Sequence, residues 1–226
     1  MAELSTLVTD ILSLPPAART PEQVIIAKRK YAKEGKLAEL PTNVHILKTY
    51  KQLVEQGTVE QQSRIEQLLK KRAIRSMSGI VPIQVLTKPF RCPGKCIFCP
   101  NDATMPKSYI NTQPGAMRAL LNQFDPYKQA YNRLLSLTLT GHATDKIEMI
   151  VLGGTRDVYP RKYKTQFVKG LYDACNHFEE FLEQIDIDFT NARLPKFTVT
   201  DGLHIDYPET IEESIKRNES SAHRII

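Results

Sequence analysis

The chain reads Arg91-Cys92-Pro93-Gly94-Lys95-Cys96-Ile97-Phe98-Cys99-Pro100 near its middle, and the interpretation of the fold starts from this run. Three of the 4 cysteines of the 226-residue chain lie in it, spaced Cys-x-x-x-Cys-x-x-Cys. Three thiolates from one short loop can each bind one iron of a [4Fe-4S] cluster, which leaves the fourth iron open to a small molecule. We therefore predict that Cys92, Cys96 and Cys99 hold a cluster of the catalytic kind.

Two other uses of three close cysteines fit this sequence less well. A structural zinc site takes four nitrogen or sulfur ligands, and the loop contains no fourth cysteine and no histidine. Disulfide pairing would leave one thiol over, and nothing upstream has the pattern of a secretory signal. The fourth cysteine, Cys175, lies on the apolar side of a predicted helix and is predicted to pack in the core.

Composition predicts a soluble, cytoplasmic protein with no contact to a membrane. Apolar residues make up 41% of the chain, enough for a core, and no apolar run approaches the length that crosses a bilayer. Four cysteines without an obvious disulfide pattern fit a reducing compartment, which an oxygen-sensitive cluster also needs.

The positive charge is concentrated upstream of the cysteine loop. Residues 1–91 contain 15 Lys and Arg against 8 Asp and Glu, whereas residues 92–226 contain 16 against 17. Clustered cations neutralise phosphates and release counterions, so this region is a candidate surface for a polyanion. The alternative is an ordinary solvated helix face. The candidate residues are Lys28, Arg29, Lys30, Lys70, Lys71, Arg72, Arg75, Lys88 and Arg91.

Local signals divide the chain at about residue 78. Upstream, capping boxes at Thr20-Pro21-Glu22-Gln23 and Thr58-Val59-Glu60-Gln61 predict helices from Thr20 to about Lys33 and from Thr58 through Arg72. A third helix is predicted over 42–55. Downstream, strands are predicted over 80–87, 147–152 and 197–200, and helices over 114–124, 126–140, 164–184 and 211–217. This alternation predicts an α/β fold with a parallel sheet.

The run Gly153-Gly154-Thr155 follows a predicted buried strand. Ligands of parallel sheets bind at the carboxyl ends of strands, and paired glycines let a ligand approach the main chain closely. A simple turn after a strand is the alternative interpretation.

Several short motifs in order give the chain a family resemblance. They are Ser108-Tyr109, Pro114-Gly115-Ala116-Met117-Arg118-Ala119, Phe124-Asp125-Pro126-Tyr127-Lys128-Gln129-Ala130, Gly141-His142, Asp145-Lys146-Ile147-Glu148 and Gly153-Gly154-Thr155. With the cysteine loop, these resemble the radical S-adenosylmethionine superfamily, and within it the catalytic subunit of Elongator and its archaeal and bacterial relatives, the tRNA carboxymethyluridine synthases. The loop departs from many members after its last cysteine, where it continues Pro100-Asn101-Asp102, and Thr155 stands where an acidic residue is usual.

The resemblance implies an acyltransferase-family enzyme that modifies the wobble uridine of tRNA. In that family acetyl-CoA supplies a two-carbon unit, a deoxyadenosyl radical removes hydrogen from its methyl group, and the carbon radical adds to C5 of the base. By this resemblance Phe98 would shield the cluster, Gly153, Gly154 and Thr155 would bind S-adenosylmethionine, and the basic region would bind the tRNA anticodon arm. No residue is predicted to be catalytic in its own right.

The resemblance also implies an incomplete chain. We expect a basic helical tRNA-binding region over 1–78, then over 79–226 the start of a partial (β/α) barrel that stops before closure and lacks the acetyltransferase domain. Full turnover by these residues alone is not expected, and an open sheet edge would pair with Elongator-like subunits or with a second copy. The alternatives are an inert tRNA-binding module whose cysteine loop is vestigial or holds zinc, and a subunit of a protein lysine acetyltransferase.

Overall fold

The computed structural model describes residues 2–34, 40–100, 102–182 and 210–226, which form two compact units. The first unit contains the described residues up to 74 together with 137–142. The second contains 75–136 and 143 onward within the described residues. The predicted boundary at residue 78 lies close to the break at 74.

The first unit is built from helices α1 to α4. Their bounds are Ala2–Ser13 (α1), Pro21–Lys33 (α2), Asn43–Glu55 (α3) and Ser63–Leu69 (α4), with a short 3₁₀ turn at Pro16–Ala18. Thr20 and Thr42 cap α2 and α3 with their side-chain oxygens, which confirms both predicted helix starts. The helices close around a buried apolar cluster that includes Leu7, Ile46 and Ile65. The sequence interpretation contained no counterpart of α1.

The capping box predicted at Thr58 is wrong. Gly57 takes a left-handed backbone with φ of +70°, and the Thr58 N–H donates to the Leu53 carbonyl at 2.9 Å. Thr58 therefore caps the carboxyl end of α3 and does not begin a helix. Helix α4 begins only at Ser63. It ends at Leu69, because Lys70 is extended and the Lys71 N–H donates to the Thr140 carbonyl. Lys70, Lys71 and Arg72 therefore follow the helix and do not lie in its last turn.

The second unit contains three strands and five helices among its described residues. The strands are Val81–Leu86 (β1), Lys146–Leu152 (β2) and Arg224–Ile225 (β3). The helices are Pro114–Leu121 (α5), Pro126–Leu139 (α6, whose last residues belong to the first unit), Arg161–Asn176 (α7), Phe178–Leu182 (α8) and Ile211–Asn218 (α9), with 3₁₀ turns at Ala73–Ser76 and Arg156–Val158. The predicted helix over 164–184 is divided at His177, which caps α7. The predicted strand over 197–200 lies outside the described residues.

The strands form a parallel sheet in the order β1-β2-β3, as the alternation of elements predicted. Val81, Ile83 and Val85 of β1 are fully buried, and Ile147 is the register partner of Val81. At the end of β1, the Gln129 side chain accepts from the Leu86 N–H at 2.8 Å and donates to the Leu86 carbonyl at 2.9 Å. Because β1 and β2 are parallel and Leu86 pairs with Leu152, their carboxyl ends lie side by side, and Thr87 and Gly153 follow them.

Candidate functional site

The cysteine loop leaves the carboxyl end of β1 and has no helix or strand among its described residues before α5. Cys96 is exposed, and Cys92 and Cys99 are partly exposed. Ile97 and Phe98, between the second and third cysteines, expose 88% and 92% of their surface. Exposing this much apolar surface to water costs free energy, so burying the tip of the loop against a bound group would be favourable.

Cys92 is held against the end of β2. Its Sγ lies 3.3 Å from Thr155 Oγ1, and the Gly94 N–H donates to the same sulfur at 3.4 Å. Chiefly the Thr155 hydrogen bond, and then the Gly94 amide, hold the pKa of the Cys92 thiol below its ordinary value. A thiol of this kind gives up its proton to become a metal ligand more readily than a free one.

Cys96 shares the Gly94 turn with Cys92, whereas Cys99 has a different neighbour. A Cβ on Gly94 would lie 3.5 Å from Cys92 Sγ and 3.6 Å from Cys96 Sγ, so the two sulfurs flank this glycine. Cys99 Sγ lies 3.6 Å from Ser108 Oγ, and Ser108 has a left-handed backbone with φ of 78°. In the described part of the chain no three His, Cys, Asp or Glu side chains lie together as a metal-binding group. The donor set fits an iron–sulfur cluster by its chemistry, three accessible thiols in one loop.

The glycine run after β2 packs tightly against the end of β1. A Cβ on Gly153 would lie 2.0 Å from Thr87 Oγ1, and Gly153 has a φ of +155°, so only glycine fits there. Thr155, which the resemblance assigned to the cofactor, bonds to the first cysteine. A cavity of about 500 Å³ opens beside these residues and is lined by Thr87, Gly153, Gly154, Tyr159, Lys164 and Phe167, among others.

The candidate cations do not share one environment. Arg29, Lys30, Lys71, Arg72, Lys88 and Arg91 are exposed, and Lys70 and Arg75 are partly buried. Lys28 does not lie on the surface as expected for a phosphate-binding cation, because only 6% of it is exposed and its ammonium donates to the Asn43 side chain. Burial lowers the pKa of Lys28. Asn43 also donates to the Leu69 carbonyl at 3.1 Å, so Lys28 links the basic stretch of α2 to the start of the stretch 70–72.

Cys175 takes no part in this site, as predicted. It is 1% exposed in α7, and burial raises the pKa of its thiol to about 12, so it stays protonated. No helix among the described residues is long and apolar enough to span a membrane.

The sequence interpretation missed two tyrosines that contact the start of the loop. Tyr159 and Tyr163 bond through their hydroxyls to Thr87 and Lys88. The available signal was the spacing of Tyr159, Tyr163 and Phe167, which places three aromatic rings on one side of a helix start.

Comparison with known proteins gives partial matches at substantial identity. The tRNA uridine(34) acetyltransferase of Methanocaldococcus infernus is 33% identical over 192 residues, which are 82% of this chain and 29% of the relative. The tRNA uridine(34) acetyltransferase of Dehalococcoides mccartyi is 43% identical over 106 residues, 47% of this chain and 23% of the relative. Elongator complex protein 3 of Homo sapiens is 37% identical over 119 residues, 48% of this chain and 22% of the relative. The chain thus spans less than a third of the length of these relatives.

No protein-family model matches the chain. A solved structure of the archaeal Methanocaldococcus infernus Elp3 with an N-terminal deletion aligns with this chain at 24% identity and a TM-score of 0.39. The alignment covers 66% of this chain and 21% of the chain in that structure.

Proposed function

Because this chain is homologous to part of the tRNA uridine(34) acetyltransferases and of Elongator complex protein 3, we propose that it acts in the modification of the wobble uridine of tRNA. The observation that carries the proposal is the contact between Cys92 and Thr155. A predicted cluster ligand and a predicted cofactor residue lie 63 positions apart in the sequence, yet their side chains are 3.3 Å apart. This edge of a parallel sheet is where such folds bind ligands.

We propose that Cys92, Cys96 and Cys99 hold a [4Fe-4S] cluster, which when bound supplies the electron that cleaves S-adenosylmethionine. The chain's own residues prepare this site. Thr155 and the Gly94 amide stabilise the Cys92 thiolate, and Cys99, whose Sγ lies near Ser108 Oγ, would supply the third sulfur. Phe98, which is almost fully exposed, is available to cover the bound group.

The cavity beside Gly153 is the proposed place of S-adenosylmethionine. Its volume of about 500 Å³ suits a nucleoside that carries an amino-acid group. Gly153 and Gly154 present main chain without side chains at its edge, and Tyr159 and Phe167 offer rings against which a base can pack. Acetyl-CoA is the proposed source of the transferred group, and no described residue of this chain is assigned to it.

Anaerobic reconstitution tests the cluster and the cofactor together. We expect about four irons per chain and a visible spectrum that S-adenosylmethionine perturbs. Cys96→Ala removes one exposed thiol and should lose both properties, whereas Cys175→Ala removes the buried thiol of α7 and should keep both. Equal iron in Cys96→Ala and the unchanged chain would contradict the proposal.

The exposed cations support tRNA as the substrate. Two basic stretches, at residues 29–30 and 70–72, are linked through Lys28, Asn43 and Leu69 within the first unit. Unpaired anticodon bases suit chemistry on a base, because their edges and faces are accessible without opening a duplex. Elongator-like subunits or a second copy of the chain are proposed partners, since one group of relatives is named as a complex protein.

A binding module without chemistry is the second candidate. The separation of Cys99 from the Gly94 turn favours it, because the described thiols do not form a metal-binding group. It predicts salt-sensitive tRNA binding together with zinc or no metal in anaerobic preparations. Metal analysis of the purified chain separates the two candidates.

A further inference from the structure

The segment that joins β1 to the first cysteine is fixed by residues far along the chain. Residues 87–92 contain no helix or strand. Four of them, Thr87, Lys88, Phe90 and Cys92, nevertheless contact residues within 155–163. The path of the main chain into the cysteine loop is thus determined by side chains that follow β2.

Two tyrosine hydroxyls make the polar part of this attachment. The Tyr159 O–H donates to the Lys88 carbonyl at 2.7 Å. Since that proton is used, the Thr87 hydroxyl donates to Tyr159 Oη across 2.9 Å. The Lys88 N–H donates to Tyr163 Oη at 2.9 Å. Both main-chain polar groups of Lys88 are therefore satisfied by α7 and the turn before it, as a neighbouring strand would satisfy them.

Aromatic stacking makes the apolar part. The ring of Phe90 stacks on Tyr159 with centroids 5.0 Å apart, and Tyr159 stacks on Tyr163 at 5.1 Å. Phe167 continues the row at 5.8 Å from Tyr163, and the Lys88 ammonium lies 4.7 Å above the Tyr163 ring. Such ring and cation contacts favour one arrangement of the side chains over others. Tyr159 is only 3% exposed, so few water molecules can compete for its hydroxyl.

We propose that Tyr159 and Tyr163 are positioning residues, which fix residues 87–90 and thereby place Cys92 beside Thr155. The inference rests on the proposed function, because it concerns how that site is prepared. A loop fixed before its ligand binds does not lose the corresponding conformational entropy at the moment of binding. The cysteine nearest to the attachment is the one that already contacts the glycine run.

Hydrogen exchange of the metal-free chain tests the attachment directly. Tyr163→Phe removes the acceptor of the Lys88 N–H and keeps the ring, so we expect the Lys88 amide to exchange about fivefold faster or more. Tyr159→Phe removes the bond to the Lys88 carbonyl and should raise exchange across residues 87–92. Tyr172→Phe is the matched control on the same helix, because its hydroxyl makes no hydrogen bond within the described residues.

Two results would overturn the inference. One is unchanged exchange over 87–92 in both variants. The other is a rise that is equal in this segment and in the core of α6, around Leu134 and Leu135, since that would show general destabilisation. Thermal unfolding of each variant accompanies the exchange measurement.

A second readout links the attachment to the cluster. In reconstituted chain, Tyr159→Phe should change the electron paramagnetic resonance signal or lower the iron content, whereas Tyr172→Phe should not. An identical signal and iron content in Tyr159→Phe would overturn the role at Cys92. If the unchanged chain binds no iron, the proposed function fails, and the exchange result on metal-free chain still decides whether the tyrosines fix the segment.

Discussion

The first unit is closed by an apolar cluster, whereas the cysteine-loop end of the second unit is fixed by tyrosine hydroxyls that bond to main-chain atoms. Apolar contacts are many and not directional, so they stabilise a shape without fixing any one atom. Hydrogen bonds to a main-chain segment fix the place of that segment. The difference suggests that the first unit presents charges on a stable surface, and that the second unit places a few sulfur and main-chain atoms.

The largest effect is expected from a cavity in the first unit. Ile46→Ala removes a side chain that is 1% exposed, and the loss of its contacts should lower the free energy of unfolding by about 2–5 kcal/mol. Urea unfolding followed by circular dichroism measures it. Ile25→Ala, at a position that is 44% exposed on α2, is the control and should change stability little. Faster exchange of residues 87–92 in Ile46→Ala, equal to that in its helices, would contradict the separate roles of the units.

A smaller loss of stability is expected from a substitution where the carboxyl ends of β1 and β2 meet. Gly153→Ala places a Cβ within 2.0 Å of Thr87 Oγ1. Such overpacking should destabilise the second unit by about 1–3 kcal/mol beyond the cost of a left-handed backbone. Gly57→Ala is the control for a positive φ without a close contact, because its φ is +70° and nothing lies within 4 Å of the new Cβ. Thermal unfolding compares the two, and equal losses would show that the close approach to Thr87 is unimportant.

A change confined to one thiol is expected from Thr155→Val. The variant loses the hydrogen bond that contributes most to the low pKa of Cys92, so this pKa should rise toward its ordinary value. At neutral pH the thiolate fraction then falls, and alkylation of Cys92 in the metal-free chain should slow, with its pH profile moved to higher pH. Mass spectrometry after timed alkylation measures it, and Cys96 in the same chain is the internal control. If the pH profile of Cys92 alkylation does not move, Thr155 does not lower the pKa of Cys92.

The smallest effect concerns single surface cations. Arg72→Gln removes one exposed charge after α4, and the slope of log K for tRNA against log salt should become shallower by about 0.7–0.9. Lys216→Gln on α9 removes another exposed charge, which lies outside the predicted surface, and should leave the slope unchanged. Equal changes in both variants would indicate diffuse attraction by net charge and no defined surface.

Local chemistry predicted most of the secondary structure. Thr20 and Thr42 cap helices because a short oxygen-bearing side chain reaches the first free amides, and Gly141 ends α6 with a φ of +84°. The same reasoning failed at Thr58, where the end of α3 takes the N–H that would otherwise begin a helix. A capping pattern does not show which of two neighbouring helices uses it.

The candidate site was predicted only as far as its local motifs. The cysteine loop and the glycine run have signatures of their own, but their contact through Thr155 and the tyrosines joins positions 63 to 75 residues apart. Lys28 shows the same limit, because its charge is visible in the sequence whereas its burial against Asn43 depends on how α2, α3 and α4 pack. Residues that act by touching a distant segment have no local pattern.

The side-chain amide of Gln129 occupies the main-chain hydrogen-bonding groups of Leu86, the last residue of the edge strand β1. By accepting from and donating to the same residue, Leu86, it imitates the peptide group of an adjoining strand. A strand of another chain that approached this side of the sheet could not form main-chain hydrogen bonds with Leu86. One buried side chain therefore blocks strand addition at Leu86, the last residue of β1 before the segment that leads into the cysteine loop.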